Sequence, residues 1–104
     1  MRGEVVIVPF PFSNFAGSKN RPALILVDLP GPDVVLAAIS STGNDPNAIA
    51  LDARDFQTGG IDHSSFIHPM KLFTFQRSVI GRVAGKITNT KWKEVISKLT
   101  SLLN

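Results

Sequence analysis

Arg21 stands directly before Pro22 and the apolar run Ala23-Leu24-Ile25-Leu26, at the end of a loop of small and polar residues. A guanidinium fixed at the mouth of a strand, with a proline locking the backbone behind it, is suited to hold an anion. Its fork grips two phosphate oxygens and stays charged at any working pH. The competing reading is a surface ion pair with Asp28 or Glu4. Gly17-Ser18-Lys19, just upstream, lacks the Walker spacing and a following helix. It reads as a flexible, basic, substrate-side loop. Phe12 and Phe15 lie in the same loop, where a ring either plugs a core or offers a base a stacking platform; Phe10 reads as core. His63 and His68 are five positions apart with no helix to align them, so no ligand geometry follows and neither metal nor cofactor is expected. The absence of cysteine removes disulfides and thiolate chemistry.

The charge is uneven. The net value is only +3. The aspartates at positions 28, 33, 45, 52, 55 and 62 share their stretch with Arg54 alone, whereas Lys71, Arg77, Arg82, Lys86, Lys91, Lys93 and Lys98 follow against Glu94 alone. A basic surface of this kind favours a polyanion, RNA or DNA first. With 43% hydrophobic and 18% charged residues the 104-residue chain reads as one globular domain, residues 1–104. No apolar run suits a membrane span and the first residues lack a signal peptide's apolar core, so a cytoplasmic location is expected.

The elements that must position these groups are mostly strands. Val5–Val8, Leu24–Val27 and Val34–Ile39 are short continuous apolar runs, as in strands buried on both faces. Ala48–Leu51 reads as a short fourth strand. Ser65–His68 and Leu72–Phe75 read as two more, with Pro69 marking a break or an edge. The glycines within Val79–Ile87 argue against a helix and for a bent strand or turn followed by a short strand. Only the last segment is helical. Trp92, Val95, Ile96, Leu99, Leu102 and Leu103 form one apolar stripe, Thr88 or Asn89 caps it, and Lys91, Lys93 and Lys98 lie off it toward solvent. Short strands closed by one helix predict a mainly β fold, a small barrel or strongly bent sheet plugged by that helix.

The combination Gly3-Glu4 with an apolar strand, Pro9-Phe10-Pro11-Phe12, a glycine-containing loop and Arg21-Pro22-Ala23-Leu24 resembles the PemK/MazF family of bacterial toxins. The similarity recurs in Val35–Ser40, in Lys71-Leu72-x-Thr74 and in the closing helix. It implies an SH3-like barrel of the CcdB/PemK/MazF type with one C-terminal helix. It also implies a metal-independent endoribonuclease for single-stranded RNA, in which the substrate's 2′-hydroxyl attacks the adjacent phosphate. Such chemistry needs a base, an acid and positive charge on the phosphorane. By the resemblance Arg21 is the functional arginine. Ser40 takes the place of a threonine, with Ser41 and Thr42 close enough to assist. His68 and Lys71 fall in the stretch that supplies further groups.

That stretch departs from the family pattern: His68 and Phe73 replace arginines and Met70 an aspartate. His68, titrating near 6.5 when unperturbed, is then the candidate for proton transfer. The expected catalytic set is Arg21, Ser40 and His68; the expected RNA contacts are Phe12, Phe15, Ser18, Lys19, Ser41, Thr42 and Lys71. The partners implied are single-stranded RNA, a second copy of the chain, and a cognate antitoxin whose disordered acidic tail fits a basic groove. The rival reading keeps the fold and drops the enzyme, leaving a module that binds nucleic acid, antitoxin or a gyrase-type protein target.

Overall fold

The computed structural model describes residues 1–11 and 18–104, and the side chains of residues 11 and 18 are not among the described features. Its strands are β1 (Glu4–Pro11), β2 (Ser18–Asp28), β3 (Asp33–Ser40), β4 (Ile49–Leu51), β5 (Phe56–Gly59), β6 (Ser65–Gln76) and β7 (Arg82–Ile87). One helix, α1 (Asn89–Leu103), closes the chain, and single turns of 3-10 helix span Ala53–Asp55 and Arg77–Val79. The strands form one seven-stranded antiparallel sheet in the order β4-β6-β3-β2-β1-β7-β5. It curls into the half-barrel with a terminal helix that the apolar runs predict.

Both faces of the central strands are apolar, so alternation sends successive side chains into two separate clusters. Val5, Leu24, Leu26, Ala37, Ile39, Ile49, Leu51, Ile67 and Ile87 form one, closed by Val95 of α1. Val6, Val8, Phe10, Ala23, Ile25, Val34 and Leu36 form the other. Phe10 is core, as expected, and packs edge-on against Phe73 and Phe75 at centroid separations of 5.0 and 5.5 Å.

The two strands expected around Pro69 are one continuous strand. Ala37 faces Leu72 whereas its neighbour Ala38 faces His68, so Pro69-Met70-Lys71 bulge out of the ladder. A bulge is where a proline, lacking an N–H, can sit inside a sheet. β5 lacked a legible pattern, being short and mostly exposed. Its place explains the glycines of the following segment: Gly59 (φ +65°) faces Gly85. A Cβ on Gly59 would lie 2.1 Å from the Ala84 carbonyl oxygen, so β5 reaches β7 only because side chains are missing there. At the far end, Arg77 pairs with Asp28 and donates to the carbonyls of Leu29 and Gly31 at 2.6 and 2.8 Å, fastening the β2–β3 turn.

The helix is capped by Thr88, whose hydroxyl accepts from the Lys91 amide at 3.1 Å. Its lysines are not all outside. Lys91 is buried, and its ammonium donates to the Ala50 carbonyl at 2.9 Å and to Glu94 at 2.8 Å, with Asp55 at 3.6 Å. A cation just off the apolar stripe meets the polar edge of β4, and that edge supplies acceptors. Conversely, Ile96 and Leu103 of the stripe are exposed, Ile96 although Val95 and Leu99 on either side of it pack on the core, and Leu103 at the helix end. No helix among the described residues is long and apolar enough to cross a membrane.

Candidate active site

The paired register of β2 and β3 ends at Ala23 opposite Ala38. Beyond that point a cleft of about 640 Å³ opens, with Arg21 and Pro22 on one side and Ile39 and Ser40 on the other. Alternation fixes what points where. Arg21 and Lys19 share a face with Ala23, Ser40 shares it with Ala38, and His68 follows Ile67 of the opposite face. Arg21, Ser40 and His68, far apart in sequence, therefore come to one end of one sheet face. Arg21 lies within β2, a few residues in, and is not at the strand mouth expected for it; Ser18 and Lys19 are the strand's first residues and not part of a free loop.

Ser40 and His68 are in contact. His68 is 2% exposed, and its Nε2 lies 2.7 Å from Ser40 Oγ. The strands carrying them are paired, with Ala38 opposite His68 and Ser40 opposite Phe66, which makes the two side chains diagonal neighbours on one face. The hydroxyl also lies 3.2 Å from the Thr42 carbonyl. Ser40 lines the cleft and His68 does not, so the imidazole reaches substrate space only through that hydroxyl. The two groups of β6 are placed differently: His68 is walled in, and Lys71 stands on the exposed bulge outside the cleft. Ser41 and Thr42 line the cleft, whereas Phe12 and Phe15 lie outside the described residues and Ser18 is placed by its backbone alone.

Three groups enter that the sequence left without a role. Arg82, opposite Ile7 in the β1–β7 ladder, lines the same cleft as Lys19 and Arg21, and so does Asp62. His63 lines the same cleft and is exposed. Arg82 is brought there by the β1–β7 ladder, which no short motif marks, and nothing local marks His63. Asp45, in the loop after β3, places Oδ2 3.6 Å from His68 Nδ1. The Asn47 amide, more than the His68 ring and Lys71, holds the Asp45 carboxyl below its ordinary value of 3.8, against an upward push from burial. Among the described residues no group of three or more His, Asp or Glu side chains is placed to hold a metal ion.

An antiparallel half-barrel closed by a terminal helix is the fold of a class of small toxins, and the comparisons agree on that class. The model of the PemK-like, MazF-like toxins of type II toxin-antitoxin systems matches residues 1–103. The chain belongs to that family. No curated protein matches it significantly in sequence. Among solved structures, a mycobacterial endoribonuclease in complex with its cognate antitoxin superposes with a TM-score of 0.79 at 18% identity, covering 99% of this chain and 93% of that one. The MazE-MazF complex of Deinococcus radiodurans gives 0.74 at 22% identity, over 98% and 94% of the two chains. Mycobacterium tuberculosis toxin MazF-mt6 gives 0.70 at 16%, over 94% and 95%. At these identities the likeness is one of fold.

Proposed function

We propose that this toxin is a metal-independent endoribonuclease that cuts single-stranded RNA in the cytoplasm, arrests growth, and is restrained by a cognate antitoxin. The observation that carries the reading is the meeting of Arg21 with a Ser40–His68 pair at one basic cleft. Arg21 neutralises the phosphorane as the 2′-oxygen attacks, and Lys19 and Arg82 hold the flanking phosphates. Ser40 passes the proton of the 2′-hydroxyl to His68, which has no route of its own to the cleft. Residues 1–104 act as one domain, and two copies with their clefts continuous make the working unit. A disordered acidic tail of the antitoxin fits a cleft whose cations outnumber its carboxylates.

One observation favours the rival, a binding module without catalysis. Where the family pattern has charged groups, Met70 and Phe73 present 49% and 40% of their surface as apolar area, with Phe73 packed on Phe10. A single experiment separates the two. Purified protein is incubated with a long single-stranded RNA in EDTA, beside Arg21→Ala. Discrete fragments ending in cyclic phosphate, lost by about a hundredfold in the variant, support the enzyme. RNA retained but uncut supports the module. Equal cleavage by folded Arg21→Ala sinks the assignment of the site.

A further inference from the structure

We propose that Asp45 is the positioning residue of the Ser40–His68 pair: its carboxylate keeps the imidazole proton on Nδ1, which leaves the Nε2 lone pair to take the proton of the Ser40 hydroxyl. The inference rests on the cleft being the RNA-cleaving site and carries that reading one residue further.

The His68 ring is buried, and its Nδ1 has no hydrogen-bond partner among the described residues. A buried polar atom left without a partner is costly, and a functional role is one of the few reasons to keep it. Asp45 Oδ2 stands 3.6 Å away, just beyond hydrogen-bond reach. Contacts of this kind often run long in an empty site and tighten when substrate binds. The carboxylate is held for the purpose. Its other oxygen, Oδ1, accepts from the Asn47 amide at 2.9 Å, so the turn that follows β3 fixes Asp45 and turns Oδ2 toward the ring.

The tautomer follows from the acceptor. An ionised carboxylate can only accept, so the favourable arrangement has the proton on Nδ1 and a lone pair on Nε2. At 2.7 Å the Ser40 hydroxyl then donates to Nε2 in preference to the Thr42 carbonyl at 3.2 Å. The opposite tautomer sets an Nδ1 lone pair against the carboxylate and leaves Ser40 without its base. In the forward step the 2′-hydroxyl gives its proton to Ser40 Oγ while Ser40 gives its own to His68 Nε2. The 2′-oxygen bonds to phosphorus, and the bond to the 5′-oxygen breaks. That oxygen takes a proton from water, and the imidazolium returns one through Ser40 to the hydroxide left behind. Asp45 stays ionised throughout and stabilises the imidazolium.

Asp45→Asn is the test. Its carbonyl oxygen can still accept from Asn47, so the turn survives, whereas its amide can donate to Nδ1 and reverse the tautomer. Nitrogen-15 NMR of the His68 ring should show the proton on Nδ1 in the wild type and on Nε2 in Asp45→Asn. In single-turnover cleavage, Asp45→Asn should lower kcat by about a hundredfold with KM within about twofold, and should cost little more in a His68→Gln background. A wild-type ring protonated on Nε2 overturns the proposal. So does an Asp45→Asn protein with unchanged kcat, or a loss that multiplies with that of His68→Gln. If the wild type cuts no RNA, the functional reading fails by itself, and the wild-type tautomer still decides the role of Asp45.

Discussion

Replacing Lys91 by methionine should destabilise the protein without touching the cleft. Methionine keeps an unbranched apolar stem, so the comparison isolates the ammonium and its contacts. The hydrogen bond to the Ala50 carbonyl joins a charged donor to an edge strand, a contact worth about 1.5–3 kcal/mol when the donor is removed. Asp55, whose side chain is 16% exposed, loses a cation at 3.6 Å and adds to that. Glu94, 54% exposed, adds no more than a few tenths, because water screens it. The sum is about 2–3 kcal/mol. In a chain of this size each kcal/mol moves Tm by roughly 4–8 °C, so the expected fall is roughly 8–24 °C. Thermal unfolding followed by circular dichroism, with urea titration at 25 °C, measures it. Cleavage per folded molecule should be unchanged. A loss below about 1 kcal/mol would mean that the ammonium behaves as a solvated surface charge and that the helix is held by its apolar stripe alone.

Ser40→Ala should slow cleavage far more than Ser41→Ala, since Ser40 alone of the two touches His68; equal effects measured in the same RNA assay would remove the relay. Arg82→Ala should weaken single-stranded RNA binding and make the slope of log affinity against log salt shallower by about 0.7, one phosphate contact, as read by fluorescence anisotropy. An unchanged slope would place Arg82 outside the RNA path. Asp28 is held below its ordinary value of 3.8, chiefly by its hydrogen bond with Arg77. A depressed folded-state value means stability that is present above 3.8 and lost as pH falls through the lower folded value. Asp28→Asn should therefore flatten the decline in urea midpoint below about pH 4. The flattening should be partial, since Asp45 is depressed in the same window.

The fold was legible wherever one physical signal dominated. β1, β2 and β3 announced themselves by continuous apolar runs because both of their faces are covered. The helix was legible from its stripe, and its cap from Thr88. β5 was not, since a short exposed strand has no apolar pattern, and its pairing depends on Gly85 nearly thirty residues later. The bulge at Pro69–Lys71 was half legible: the proline marked a break, but only the register shows that the strand continues past it. Lys91 was misread because helical periodicity tells which face a side chain occupies and not what another strand's edge will offer it. The candidate site divides in the same way. Arg21 carried its own local mark in Pro22. Ser40 and His68 could be suspected singly, but their 2.7 Å contact is a product of the β3–β6 register. Asp45 and Arg82 depend on a turn and a ladder that no short motif records.

The position of β1 sets an order of events. β1 lies in the sheet between β2 and β7, so one of its two partners follows it closely in the chain and the other comes only after five more strands. Arg21, Ser40 and His68 are all in the chain before Arg82 and the helix whose Val95 closes the first cluster. A growing chain can thus carry these three candidate residues while it still lacks one wall of the cleft and the helix that covers its core. Pairings between distant segments are slow to form, typically over milliseconds to seconds, and are completed last. In a toxin of this family, a fold whose first strand waits for β7 postpones a complete cleft until that strand and the helix after it have been made.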